Sequence, residues 1–222
     1  MSNPDTYYQR SEVSNSDLTS LKNLLHPVPM PEEVRLRAFR FGTLVDAIIT
    51  EPARVDHFLL TVDGEPYDEE DFRLASEMNR SLHAAARKDP FLDAVLKSAE
   101  TQTFMTRQAQ PFTYGELPFT LDTRCKWDWW LPDAHFGGDL KTTAAATQKE
   151  FEACIDFFDW DRSRAWYMDI AGSHRDFIYA ISKKNCNVFK AFIERDDRIY
   201  RRGREKYEEL AFQYWCLTLP NL

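Results

Sequence analysis

Glycine is scarce in this chain, seven of 222 residues, which argues against a glycine-rich β-sandwich. Cysteine is scarcer. Cys125, Cys154, Cys186 and Cys216 stand about 30 residues apart. No Cys-x-x-Cys pair exists, so neither a zinc nor an iron–sulfur site is indicated. The polar start Met1-Ser2-Asn3-Pro4-Asp5 lacks the features of a secretory leader, and the four thiols are expected to be reduced in a cytoplasmic protein. No apolar run approaches the ~20 residues needed to cross a bilayer, so no membrane partner is expected. No G-x-x-x-x-G-K-[ST] loop is present, which excludes a P-loop ATPase, and no Ser-His-Asp or Cys-His arrangement can be read. His135 and His174 lack partners at metal-ligand spacing and read as turn residues.

What is present is a globular composition. The hydrophobic fraction is 43%, with 16 Phe, 9 Tyr and 6 Trp, too apolar for a disordered chain. The length suits one domain with a sizeable core, spanning 1–222 with an N-terminal arm and helices to residue 99 and a sheet with helices from residue 100. The net charge of −8 argues mildly against a nucleic-acid ligand, yet a nuclease can confine positive charge to one channel and needs carboxylates if it binds Mg²⁺. Arg195, Arg198, Arg201, Arg202, Arg204 and Lys206 crowd one stretch, either a solvated helix face or a phosphate-contacting edge.

Ser14-Asn15-Ser16-Asp17 offers caps for a helix carrying Leu18, Leu21, Leu24 and Leu25. Pro27, Pro29 and Pro31 then predict an extended loop. Apolar spacing predicts helices over 39–49, 69–87 and 90–99, with a turn at Asp63-Gly64. Strands of an antiparallel meander are expected over 101–107, 118–131 and 135–140. Helices over 147–157 and 161–171 follow, then strands over 177–182 and 188–193 joined by Lys183-Lys184-Asn185, and a closing helix over 201–217.

The chemistry concentrates at Asp128, an acid among Trp127, Trp129 and Trp130, which is costly to bury unless paired or bound to a cation. Alternation predicts Trp127 and Trp129 on one face of the strand, and Asp128 and Trp130 on the other. Downstream, Gly137-Gly138-Asp139-Leu140-Lys141 closes a second strand, with Asp139 and Lys141 on one face. Two adjacent strands thus bring two carboxylates and an ammonium together. Such a set holds Mg²⁺ or Mn²⁺ through oxygen, and its lysine orients water or stabilises charge on a phosphodiester. Taken alone, Asp-x-Lys also fits an ordinary exposed strand. Glu100 and Glu116 either extend the acidic cluster or are plain strand-end residues, and Arg124 and Lys126 flank Asp128 within reach of a DNA backbone. The tryptophans, Trp160 and Trp166 included, either stack on bases or, more simply, pack the core.

Asp128, the ten-residue gap, Asp139-Leu140-Lys141-Thr142-Thr143 and the helix after them resemble the PD-(D/E)xK nuclease superfamily, and within it the RecE (exonuclease VIII)-like phage exonucleases. Ser14-Asn15-Ser16-Asp17-Leu18 resembles that family's S-x-S-x-L helix start. Phe41 to Pro52 resembles its G-T-x-x-H-x-x-x-x-E-P helix, and Ala165-Trp166-Tyr167-Met168-Asp169 its A-x-Y-x-D helix. The resemblance spans about residues 7 to 172. It implies a restriction-endonuclease-like α/β fold, a central mixed sheet flanked by helices. It implies a Mg²⁺-dependent exonuclease that degrades duplex DNA from 5′ ends, works beside a RecT-like single-strand annealing protein, forms ring-shaped homo-oligomers and acts in a bacterial cytoplasm, with a phage or prophage origin. The implied catalytic residues are Asp128, Asp139 and Lys141. The implied metal ligands are Asp46, Asp128, Asp139 and Leu140, and the substrate contacts Thr142, Arg162, Ser163 and Arg164. Asp46 stands where the family has histidine, either as an oxygen ligand or as a helix-surface aspartate. Ser163 stands where the family has glutamine, so either an arginine beside it takes the phosphate contact or activity is reduced. Other readings are an endonuclease or single-strand nuclease of the same fold, or a protein of this fold that binds DNA or a partner with weak or no cleavage.

Overall fold

The computed structural model describes residues 9–27 and 31–218. Residues 1–8 of the expected arm and the Pro29 part of the proline loop lie outside them. Helix α1 (Asn15–Leu25) starts within the stretch expected to cap it, and the cap is a capping box: Ser14 Oγ accepts from the Asp17 N–H at 3.2 Å and Asp17 Oδ2 accepts from the Ser14 N–H at 2.8 Å. Helix α2 (Glu32–Thr50) follows. A three-stranded ribbon, β1 (Val55–Asp56), β2 (Thr61–Val62) and β3 (Glu65–Pro66), turns at Asp63-Gly64, both with positive φ. Helices α3 (Glu69–Ala86) and α4 (Pro90–Ser98) are each capped by an aspartate, Asp68 and Asp89.

The main sheet runs β4 (Glu100–Tyr114), β5 (Leu117–Leu131), β6 (Phe136–Thr143), β7 (Arg175–Ser182) and β8 (Val188–Glu194), in that spatial order. The first three strands form the expected antiparallel meander, and β7–β8 is also antiparallel. Between β6 and β7, α5 (Gln148–Phe157) and α6 (Trp160–Ala171) make the crossover that a parallel pair requires. Helix α7 (Arg198–Thr218) closes the fold. The result is a mixed sheet with helices on both faces. Strand β7 shows why: Phe177, Tyr179 and Ile181 join the core beneath α2, α3 and α4, while Ile178 and Ala180 join the core beneath α1, α5, α6 and α7.

Two expectations need correction. Strand β5 matches its predicted span, but β4 runs on to Tyr114, past the expected end at 107, because it resumes pairing beyond a register shift between Arg107 and Gln110. In β5 the alternation breaks at Asp128. Trp127 and Trp130 pack together at 5.2 Å between ring centroids in one core, whereas Trp129 stacks on Phe177 in the other.

Close approach, not turn geometry, demands glycine where α7 crosses α6. A Cβ on Gly203 would stand 2.1 Å from the Asp161 carbonyl oxygen, a backbone atom that cannot swing aside. Helix propensity alone favours Gly203→Ala by about 1 kcal/mol, but overpacking against backbone costs about 1–3 kcal/mol. Gly203→Ala is therefore expected to lower the midpoint of thermal unfolding rather than raise it.

Candidate active site

The ladder between β5 and β6 is short. It pairs Leu131 with Phe136, Trp130 with Gly137 and Trp129 with Gly138, then stops. Beyond it the Leu140 N–H finds no β5 carbonyl, and Asp128 Oδ2 accepts it instead at 2.8 Å. The side chain thus replaces a missing rung and sits locked beside β6. The Gly137-Gly138 pair lets the strands meet there: a Cβ on Gly137 would stand 2.5 Å from Trp127, and one on Gly138 2.2 Å from the Phe177 ring.

On β6, Asp139 is 5% exposed, and its Oδ2 forms an ion pair with Lys141 Nζ. From the opposite core Arg164 of α6 reaches Asp139 Oδ1 at 3.6 Å and Asp176 Oδ2 at 3.7 Å, with its guanidinium 4.1 Å from the centre of the Tyr167 ring. On the other side, α2 presents Asp46. Gln102 Nε2 donates to its two oxygens at 3.3 and 3.1 Å, and Thr50 Oγ1 donates at 3.0 Å. Gln102 does so from a left-handed backbone, φ 55°, a strained conformation for a residue with a Cβ.

The electrostatics divide these acids. Burial pushes Asp128 well above the ordinary carboxylate range, and the charges of Asp46 and Asp139 push it further, against Lys141 and the Leu140 N–H. Burial likewise raises Asp46, against Thr50, Lys126 and Lys141. Burial works to raise Asp139 too, but Arg164 and then Lys141 outweigh it, so its pKa is lowered. Burial raises Asp176 well above its usual value, against Arg164 and the Phe177 N–H.

Among the described residues no three His, Cys, Asp or Glu side chains form a ready metal cage. Mg²⁺ needs none, since it binds through one or two carboxylates and keeps several waters. Asp128 and Asp139 are such a pair, hard oxygen donors whose mutual repulsion a cation would relieve, so these residues fit the ion.

The sequence-expected residues do not all converge. Asp128, Asp139, Leu140 and Lys141 gather on β5 and β6, with Asp46 facing them. Thr142 lies beneath α2, its Oγ1 3.9 Å from a Cβ built on Gly42. Arg164 is buried under Asp139. Arg162 turns instead toward α1, donating to Asn15 Oδ1 at 3.0 Å and to Thr19. Ser163 donates to the Trp160 carbonyl at 2.9 Å, inside its own helix. Arg124 is 2% exposed and paired with Asp17 at 3.1 Å, and Glu116 is exposed at the tip of the β4–β5 hairpin. Most of the basic stretch is consumed internally: Arg202 and Lys206 pair with Asp156 and Asp161, Arg195 with Asp169, and Arg204 with Glu208. Sequence reasoning missed Asp176 and Gln102. The readable signal for Asp176 was an acid opening a strand that is otherwise apolar.

No family model matches this chain, and no curated protein matches it. Among solved structures, SSO0001 is similar over 81% of this chain and 77% of its own, at 13% identity and TM-score 0.37. A phage-related exonuclease from Haemophilus somnus 129PT is similar over 76% of this chain and 83% of its own, at 11% identity and TM-score 0.35. The alkaline exonuclease LHK-Exo from Laribacter hongkongensis is similar over 62% of this chain and 69% of its own, at 14% identity and TM-score 0.28. Among the described residues no helix is long and apolar enough to cross a membrane.

Arg164→Met keeps the stem but leaves Asp176 without its cation and Asp139 with Lys141 alone, and is expected to cost about 3–5 kcal/mol in urea unfolding. Asp176→Asn, which removes the carboxylate rather than its partner, is expected to cost much less. Because the folded pKa of Asp176 is raised, the native state binds more protons than the unfolded one. Its contribution is present below the ordinary carboxylate range and is lost as pH rises through the raised value. A calorimetric pH series on Asp176→Asn is therefore expected to show a shallower loss of stability with rising pH than the parent.

Proposed function

We propose that this chain is a metal-dependent deoxyribonuclease that hydrolyses phosphodiester bonds at the ends of linear duplex DNA, from 5′ to 3′. The observation that carries the reading is the junction of β5 and β6. There Asp128, fixed by the Leu140 N–H, stands with Asp139 and its ion-paired Lys141. In this reading Asp128, Asp139, the Leu140 carbonyl and Asp46 hold Mg²⁺, or Mn²⁺ in its place. The bound ion would supply a water of lowered pKa and neutralise phosphate charge. Lys141, tethered by Asp139, orients the attacking water or holds positive charge where the phosphoryl oxygens gain negative charge. Arg164 keeps Asp139 ionised and ready to accept a cation. Gln102 and Thr50 aim Asp46 at the same place. The proposed setting is phage-type recombination in a bacterial cytoplasm, with a ring-shaped oligomer handing single strands to an annealing protein.

The test is a time course on linear duplex labelled at 5′ or 3′ ends, in Mg²⁺ and in EDTA. Early loss of the 5′ label in Mg²⁺ and no loss in EDTA are expected. Lys141→Ala and Asp139→Ala should each slow digestion about a hundred- to a thousandfold with circular dichroism unchanged. Digestion by Lys141→Ala at the parent rate would sink the reading, and cutting of closed circular DNA would replace exonuclease by endonuclease.

A further inference from the structure

A second charged cluster lies away from the Asp128–Asp139–Lys141 centre. A cavity of about 390 Å³ opens where the end of α6 meets β4 and α7, lined by Arg107, Gln110, Asp169, His174, Arg195 and Arg204 among others. Strand β4 shapes it. Its register against β5 shifts between Arg107 and Gln110, with Ala109 at φ 45° and the Ala109 N–H held by Asp122 Oδ1 at 2.8 Å. A bulge of this kind re-aims side chains, and here Arg107 and Gln110 face the cavity.

The charges around it do not cancel. Arg107 Nη1 donates to the Asp169 carbonyl at 2.8 Å, and Arg195 Nε and Nη2 donate to the Ser173 carbonyl at 3.3 and 3.1 Å. These anchors are neutral acceptors. The Asp169 carboxylate is occupied by Tyr200 at 2.7 Å, by Tyr207 and by Arg195 Nη1 at 2.9 Å. Arg204 Nε donates to Glu208 Oε1 at 2.7 Å. Three guanidiniums thus stand against two carboxylates, Asp169 and Glu208. Both Nη groups of Arg204, and Nε and Nη2 of Arg107, make no hydrogen bond among the described residues. Gln110 turns its Oε1 to the Thr123 hydroxyl at 2.7 Å, which leaves its amide nitrogen as a donor.

We propose that this cavity binds a phosphate monoester on a nucleotide-sized molecule, with Arg107 and Arg204 as the guanidinium forks and Gln110 as a neutral donor. Planar forks match phosphate oxygens two at a time, and the volume lies in the range of small-ligand pockets. Among the described residues the one carboxylate lining it, Asp169, is already saturated, so the role proposed for the cavity is binding. The inference does not rest on the nuclease reading. The phosphate has two possible sources: a free mononucleotide, or the 5′-terminal phosphate of a DNA strand.

Calorimetric titration in EDTA, which silences any metal at the other centre, tests this with inorganic phosphate, deoxyadenosine 5′-monophosphate, and one oligonucleotide with and without a 5′-phosphate. Saturable binding is expected, weakened about tenfold or more in Arg204→Gln and in Arg107→Gln, and unchanged in Asp139→Asn. Arg204→Gln alters a half-exposed side chain, so it keeps the test valid if Arg107→Gln unfolds. Tighter binding of the phosphorylated oligonucleotide than of the mononucleotide would name the strand end as the source, and the reverse would name the free nucleotide. Absence of saturable binding by every probe, equal binding by Arg204→Gln and the parent, or loss of binding in Asp139→Asn would each overturn the proposal.

Discussion

A guanidinium shut off from water stands between two carboxylates, and much of the site depends on it. Arg164 is 1% exposed. Burying such a charge without partners costs several kcal/mol. It is offset by Asp139, Asp176 and the faces of Tyr167 and Trp127. The same contacts tie α6 to β6 and β7 at once, since Asp139 and Asp176 belong to neighbouring parallel strands. They also explain why adjacent acids behave differently. Asp139 has two cations and stays charged, whereas Asp128, beside it, has mainly neighbours of its own sign. Carboxyl groups whose environments push their pKa values apart in this way are candidates for an acid and base pair.

The remaining charge is distributed economically. The net charge of −8 leaves acids in excess. Yet the acids of α5 and α6 are largely matched by the basic stretch at the start of α7, which fastens one helix layer to itself. Arg198 and Arg201 stay exposed. Within the basic run Arg202 and Lys206 are a helix-to-helix clamp, set where Gly203 lets the two backbones approach, whereas Arg195 and Arg204 line the second cavity.

The layout was legible where local patterns dominate. The capping residues from Ser14 to Asp17, the Asp63-Gly64 turn, the apolar run of β7 and the Asp139-x-Lys141 spacing all translate directly into geometry. What stayed hidden depends on contacts distant in sequence. The first half of α2 lacks an apolar stripe and is exposed from Glu32 to Arg40, so periodicity started that helix late. The break in alternation at Asp128 comes from β5 leaving the β6 ladder, which period-two reading does not foresee. Asp176 matters through Arg164, twelve residues before it in the chain but on another element. Arg162 and Ser163 were named from their place in a motif, and the turn of α6 decided that they face α1 and their own helix.

Helix α2 has two halves with different surroundings. From Phe41 onward it is embedded in the core, whereas every residue from Glu32 to Arg40 is exposed, Phe39 at 69%. The helix is continuous across the boundary, and Phe39 and Asp46 lie only about 10 Å apart along its axis. The two halves therefore form one lever with its fulcrum near Phe41. A load applied to the bare outer arm would tilt the aspartate at the inner one, so the placement of an acid deep in the site is mechanically continuous with a surface left uncovered among the described residues.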